Sequence, residues 1–141
     1  MAELEWEPRL ERTRAEAQAF APFLGRWTGS GHAHGEKSTG ELVGEAILDG
    51  SHIEVRERVD GHEDRCLYRF EVDDMSLRVM HIFAGGTVRE YPVERTPSGL
   101  VWITPPSEPS VEWHFGSDQL RCEVRWPGAD QPDVTMSWTR A

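Results

Sequence analysis

The sequence has little cysteine and no long apolar run, and both absences limit the classes of protein it can belong to. Its two cysteines, Cys66 and Cys122, are too few for a disulfide framework. No stretch approaches the roughly 18 consecutive apolar residues of a membrane-spanning helix. The N-terminal stretch MAELEWEPRLER is charged, which disfavours a secretory signal. We therefore expect a cytoplasmic protein with reduced thiols and no membrane span.

Basic residues are scarce relative to acidic ones, and the common catalytic motifs are missing. The 15 Lys and Arg residues against 25 Asp and Glu residues give a formal net charge of −10. Nucleic acids and anionic membranes attract clustered cations, so neither is expected as a partner. There is no Gly-x-Ser-x-Gly motif, no phosphate loop and no dinucleotide glycine motif opening a helix. These absences favour a binding protein over an enzyme without settling the question.

The 141 residues form one domain (1–141), with one short helix followed by strands. A helix is predicted over about residues 8–23, because Pro8 suits a first helical position, apolar residues recur at helical spacing and Pro22 suits its end. Nine turn signals then divide residues 25–140 into ten short strand candidates. The signals are Gly35 to Gly40, Asp49-Gly50, Asp60-Gly61, Asp73-Asp74, Gly85-Gly86, Pro97-Ser98-Gly99, Pro105-Pro106, Gly116-Ser117-Asp118 and Pro127-Gly128.

The strand candidates alternate apolar and polar residues, which predicts one buried and one solvated face. The predicted inward faces carry Cys66, Tyr68 and Phe70; Leu77, Val79, His81 and Phe83; Val111, Trp113 and Phe115; Leu120, Cys122, Val124 and Trp126; and Val134, Met136 and Trp138. Hairpin after hairpin favours up-and-down order, and closure removes the exposed edges of so long a meander. We predict an all-β fold: a ten-stranded antiparallel up-and-down barrel with a short N-terminal helix.

The motif Leu-Gly-x-Trp-x-Gly-x-Gly in Leu24–Gly31, placed between the helix and the meander, resembles the calycins. Within them the chain is most similar to fatty-acid-binding-protein-like barrels that include the nitrobindins. It also resembles bacterial lipocalin-like proteins through Ile47-Leu48-Asp49-Gly50 leading into Ile53. The resemblance implies a barrel closed at one end by the helix, with Trp27 packed there, and an interior cavity for an apolar or planar ligand. The structural signature consists of Gly25, Trp27, Gly29 and Gly31.

The same resemblance raises haem as an alternative cofactor. Nitrobindins bind haem iron through a histidine on a C-terminal strand, but the segment Gln131–Ala141 contains no histidine. Met136 is a soft ligand that does not match that pattern, and the last histidine, His114, lies on an earlier strand. The haem hypothesis therefore depends on another residue, for which His81 is the candidate.

Polar and aromatic groups on the inward faces are the candidate ligand-binding residues. His81 shares its face with apolar residues, so it either contacts a ligand or is a core histidine satisfied by a tyrosine. Arg56 either binds a carboxylate inside the barrel or lies on a solvated outer face with ion pairs. The tryptophans on the predicted inward faces either line a ligand cavity or fill the interior of the barrel with their side chains. The predicted ligand-binding set is His81, Tyr68, Phe70, Phe83, Tyr91, Trp102, Trp113 and Arg56.

His32 and His34 form a His-x-His pair, a spacing that many metal sites use. His52 and Glu54 on a neighbouring strand are conceivable further ligands. The alternative is two partly exposed histidines at a strand end, beside the Gly35 to Gly40 loop.

The leading hypothesis is a protein that binds a small hydrophobic or amphipathic molecule inside the barrel. A nitrobindin-like haem protein and a metal-dependent enzyme using His32 and His34 are the alternatives. The sequence does not set the oligomeric state and leaves a homodimer open.

Overall fold

One α-helix, two short 3₁₀ segments, at Gln18–Phe23 and Leu48–Gly50, and ten strands make up residues 6–141. The computed structural model describes residues 6–141. Helix α1 spans Trp6–Ala17, and Gln18–Phe23 continues it as a 3₁₀ helix, which we call the plug segment. The strands are β1 (Gly25–Ala33), β2 (Glu36–Ile47), β3 (His52–Val59), β4 (His62–Glu71), β5 (Ser76–Ile82), β6 (Val88–Arg95), β7 (Gly99–Trp102), β8 (Ser110–Gly116), β9 (Gln119–Arg125) and β10 (Val134–Arg140).

The ten strands close into one antiparallel barrel. Each strand pairs with the next along the chain, and β1 pairs with β10 to complete the ring. The predicted ten-stranded up-and-down barrel with an N-terminal helix is thus confirmed. No helix within residues 6–141 is long and apolar enough to cross a membrane.

Short turns with left-handed backbone join most of the strands. Asp60 and Gly61 have φ values of 51° and 85°, as a two-residue hairpin turn requires, and the side chain of Asp60 accepts a hydrogen bond from Ser38 Oγ at 2.7 Å. The predicted turn from Gly35 to Gly40 is wrong in extent. Only His34 and Gly35 turn the chain, and β2 already begins at Glu36. Gly40 lies inside β2, where the strand approaches the ring of Trp138.

The predicted helix over residues 8–23 is present but has two parts. The α-helix spans Trp6–Ala17, and the plug segment follows with tighter turns around Pro22. Proline has no backbone N–H to donate, so the chain beyond Ala17 does not continue as a regular α-helix. The first five residues of the charged N-terminal stretch lie outside the described residues.

The plug segment closes one end of the barrel. Phe20 and Phe23 are fully buried in the core beneath it. The carbonyl oxygen of Phe23 accepts a hydrogen bond from Trp27 Nε1 at 3.0 Å, which places Trp27 at this end. Gly44 lies directly against the same carbonyl, and any side chain there would collide with it. The end of the plug segment is therefore held between β1 and β2.

Gly29 on β1 leaves room for the indole of Trp138 on β10. The two residues are directly opposite in the ladder, and a Cβ at Gly29 would overlap the six-membered ring of Trp138. We expect Gly29→Ala to lower the free energy of unfolding by about 1–3 kcal/mol, because the well-packed Trp138 must shift. Urea denaturation followed by tryptophan fluorescence measures this difference.

Gly85→Ala is the matched control for this prediction. Gly85 lies in the β5–β6 connection, where an added Cβ would meet no atom within 4 Å, so stability should change by less than about 0.5 kcal/mol. Equal losses in the two variants would show that contact with Trp138 does not explain the glycine at position 29.

Candidate functional site

A cavity of about 570 Å³ occupies the part of the barrel away from the plug segment. Tyr68 lies at its floor, because the other side of that ring packs against Phe20 and Phe23 at centroid distances of 4.8 and 4.9 Å. The lining extends to residues at the opposite end of the barrel, including His34 and Asp60. The cavity therefore opens at the end that the plug segment leaves free, and its volume is typical of small-molecule sites.

Aromatic rings form much of the cavity wall. Tyr91 and Trp102 are stacked with centroids 5.7 Å apart, and Trp102 Nε1 donates a hydrogen bond to the hydroxyl of Tyr68 at 3.2 Å. The indole N–H groups of Trp113 and Trp138 are buried and find no acceptor within residues 6–141. Of the residues predicted to bind a ligand, the cavity brings together His81, Tyr68, Phe83, Tyr91, Trp102 and Trp113.

Arg56 and Phe70 do not border the cavity. Arg56 lies on the outer wall, where its guanidinium pairs with Glu45 at 2.6 Å and approaches Glu54 at 3.5 Å. Phe70 is buried towards the helix end, with the guanidinium of Arg12 5.6 Å from its ring centroid. Trp126, predicted on a buried face, is 50% exposed because β9 ends one residue before it, and it lies at the cavity mouth.

His81 is held in the wall by Asp64. His81 Nε2 lies 3.3 Å from Asp64 Oδ2, and Asp64 Oδ1 accepts the backbone N–H of Ala84 at 2.8 Å. A carboxylate only accepts hydrogen bonds, so Nε2 carries the hydrogen. These hydrogen bonds, above all the one from His81, lower the pKa of Asp64. Nδ1 of His81 is buried and has no hydrogen-bond partner among residues 6–141, while the centroid of the ring lies 3.9 Å from that of Phe83.

Glu57 brings a second carboxyl group to the cavity, beside that of Asp64. The two residues are directly opposite in the β3–β4 ladder, and both border the cavity. Burial, with a smaller contribution from the charge of Asp64, raises the pKa of Glu57 from 4.5 to about 7. No hydrogen bond or ion pair joins Glu57 to another residue of the chain as described from Trp6 onward.

Tyr91 and Glu108 lie nearer the mouth. The hydroxyl of Tyr91 donates to Glu108 Oε1 at 2.6 Å, and Arg89 lies 3.9 Å from the same oxygen. Burial, together with this hydrogen bond, raises the pKa of Tyr91 to about 12. Tyr91 therefore stays neutral in the physiological range and offers a hydroxyl oxygen to the cavity.

Both cysteines also border the cavity. Cys66 and Cys122 are buried free thiols, and burial raises the pKa of each well above its ordinary value. They are therefore protonated at neutral pH and behave as small apolar wall residues rather than nucleophiles.

Neither His32 nor His34 belongs to a group of three or more possible metal ligands within residues 6–141. His32 lies on β1, whereas His34 lies in the following turn with a φ of 54° and pairs with Asp133 at 2.7 Å. Within residues 6–141, the side chains close enough to share an ion are instead Glu112, His114 and Glu123, outside the cavity. Two of the three already have partners outside this group, since Ser98 lies 2.7 Å from His114 Nδ1 and Arg121 lies 2.6 Å from Glu123.

The cavity does not fit haem in the manner that the resemblance implies. The residues of β10 that border the cavity are Val134, Met136 and Trp138, without a histidine. His81 Nε2 carries the hydrogen that it donates to Asp64, and Nδ1 is buried, so neither ring nitrogen is presented to iron in the cavity. The carboxyl groups of Glu57 and Asp64 would also repel haem propionates.

Sequence reasoning did not select Glu57, Asp64 or Glu108. The alternation of residues along the strands did indicate two of them. Glu57 lies on the same face of its strand as Val55 and Val59, and Asp64 lies on the same face of its strand as Cys66 and Tyr68. Glu108 lies in the β7–β8 connection, where strand parity gives no information.

Comparison with known proteins adds no relative. No protein-family model matches the sequence, and no curated protein matches it at a significant level. The function proposed for this chain therefore rests on its own structure.

Proposed function

We propose that the protein binds a small hydrophobic or amphipathic molecule inside the barrel. The observation that carries this proposal is the cavity of about 570 Å³, walled by the rings of Tyr68, Tyr91, Trp102 and Trp113. A fold that needed only a packed core would fill this space, since protein interiors normally leave few voids larger than a water molecule. The calycin-like architecture supports the same function by analogy.

Burial of apolar surface would provide most of the affinity. A ligand that buries about 300 Å² of apolar surface gains about 7 kcal/mol before the costs of association. The few polar groups of the lining, among them the hydroxyl of Tyr91 and the carboxyl group of Glu57, would orient the ligand. We also propose a cytoplasmic location, which the two unpaired thiols, Cys66 and Cys122, support.

Filling the cavity should abolish binding. We expect the wild-type protein to bind the neutral dye N-phenyl-1-naphthylamine with a micromolar Kd, seen as a rise in dye fluorescence. Val124 borders the cavity beside Val111 and Val134, so the indole in Val124→Trp would occupy the binding space. We expect this variant to weaken dye binding at least about tenfold, a loss of about 1.4 kcal/mol.

Thr139→Trp places the same side chain on the outer wall as a control. Thr139 is exposed on β10 and does not border the cavity, so dye binding should remain within about twofold of the wild-type value. No dye binding by the wild-type protein, or equal binding by Val124→Trp, would overturn the proposed function.

A further inference from the structure

Two acidic side chains border the cavity on the side of the β3–β4 turn, and no Lys or Arg of residues 6–141 pairs with either of them. Glu57 on β3 and Asp64 on β4 are cross-strand partners, and both border the cavity. Directly opposed residues of an antiparallel pair have Cβ atoms about 5 Å apart, so the two carboxyl groups lie close enough to act on one ligand atom. The influence of Asp64 on the pKa of Glu57 is consistent with this proximity.

The two carboxyl groups differ in their hydrogen-bond partners. Asp64 already accepts hydrogen bonds from His81 Nε2 and the N–H of Ala84, so it is fixed in place. Glu57 has neither a hydrogen bond nor an ion pair with any of residues 6–141, although it lies within the barrel wall. The Glu57 carboxyl group is half-buried and loses part of its hydration in the cavity, so a donor brought by a ligand would offset that loss.

The rest of the lining also favours a cation. The rings of Tyr91 and Trp102 are stacked in the wall, and Tyr68 lies edge-on to Trp102 at a centroid distance of 6.4 Å. Aromatic faces attract cations electrostatically. Among the described residues of the lining, Arg89 is the one guanidinium, and it lies at the mouth near Glu108 with its side chain 52% exposed.

We infer that the ligand is an amphipathic organic amine, bound as its ammonium form with the nitrogen between Glu57 and Asp64 and its apolar part against the rings of Trp102 and Trp113. This inference rests on the proposed binding function and assigns the chemical class of the ligand. The ammonium group donates to the unpartnered carboxylate of Glu57, and its charge is stabilised by Asp64. A carboxylic acid of the same size meets two like charges instead and is rejected.

Three matched ligands test the inference by isothermal titration calorimetry at pH 7.5: 2-(1-naphthyl)ethylamine, 2-(1-naphthyl)ethanol and 1-naphthylacetate. We expect the amine to bind about tenfold more tightly than the alcohol, and the acid to bind more weakly than the alcohol. Glu57→Gln should remove most of the preference for the amine and leave the affinity for the alcohol within about twofold.

Glu63→Gln is the control variant. Glu63 also lies on β4, but its side chain is on the outer wall, 41% exposed and 3.7 Å from Arg65, so ligand preference should be unchanged. Binding of the alcohol without a preference for the amine overturns this inference and leaves the proposed function standing. An equal loss of both affinities in Glu57→Gln overturns it as well, while binding of none of the three ligands overturns the function and the inference together.

Discussion

Replacing Glu57 with glutamine should raise the free energy of unfolding by about 3 kcal/mol at pH 8, and by less than about 1 kcal/mol at pH 5. The reason is the carboxyl group's pKa, which burial raises from 4.5 to about 7 in the folded protein. Between these two values the folded state binds more protons than the unfolded state. The wild-type protein therefore loses stability as the pH rises through this window, and the glutamine variant has no such group to titrate.

The other titratable groups around Glu57 do not reverse the direction of this effect, in which ionisation of Glu57 lowers the stability of the wild-type protein relative to the variant. Asp64 is opposite on β4, and its charge adds to the effect on Glu57. Cys66 and Cys122 stay protonated, because burial raises the pKa of both thiols. The neighbour on the other side, Leu42 of β2, carries no charge. The pH dependence of the difference between the wild-type protein and Glu57→Gln is therefore that of the Glu57 carboxyl group beside an ionised Asp64.

Urea denaturation at pH 5 and pH 8, followed by tryptophan fluorescence, measures this prediction. Glu63→Gln on the outer wall serves as the control, and its effect should not grow between the two pH values. A gain of equal size at both pH values for Glu57→Gln would mean that the carboxylate of Glu57 is solvated and ionised throughout.

The strand order was predictable because local signals agree with the global fold. Asp60-Gly61 and the other turn signals mark hairpins, and a chain of hairpins with one apolar face per strand has few ways to bury that face. The predicted turn from Gly35 to Gly40 was too long because one of its glycines is required by a contact between strands. Gly40 is required because β2 approaches the backbone of β3 closely, and an added Cβ would collide with the carbonyl oxygen of Arg58. A glycine that packing requires looks the same in the sequence as a glycine that a turn requires.

The sequence allowed the apolar and aromatic residues of the cavity wall to be predicted, but not its acidic residues. Parity places Trp102, Trp113 and His81 on inward faces, and the structure brings all three to the cavity. The alternation of residues along the strand also places Glu57 on the inward face. From the sequence of one strand, however, a carboxyl group at this position is equally compatible with the solvated rim of the barrel. Only the closure of the barrel shows that Glu57 faces an enclosed space, and that the neighbouring Arg56 lies outside it.

The plug segment explains why the cavity is confined to one part of the barrel. Phe23 is fully buried, and its ring contacts Tyr68, Trp113 and Phe115 at centroid distances of 4.9, 4.9 and 5.1 Å. Two of these neighbours, Tyr68 and Trp113, also form the cavity wall. The ring of Phe23 therefore both closes the core and supports the aromatic residues that a ligand would contact.

Phe23→Ala should lower the free energy of unfolding by about 3–5 kcal/mol, because it leaves a cavity among rings that cannot collapse into it. Chemical denaturation measures the loss, and Phe83→Ala is its control. Phe83 is only partly buried and lies beside the existing cavity, so its removal creates little new void and should cost about 1 kcal/mol. Similar losses in the two variants would mean that the plug segment adds no more to stability than a residue at the mouth. A much larger loss for Phe23→Ala would show that the closed end carries the stability of the barrel and leaves the other end free for a ligand.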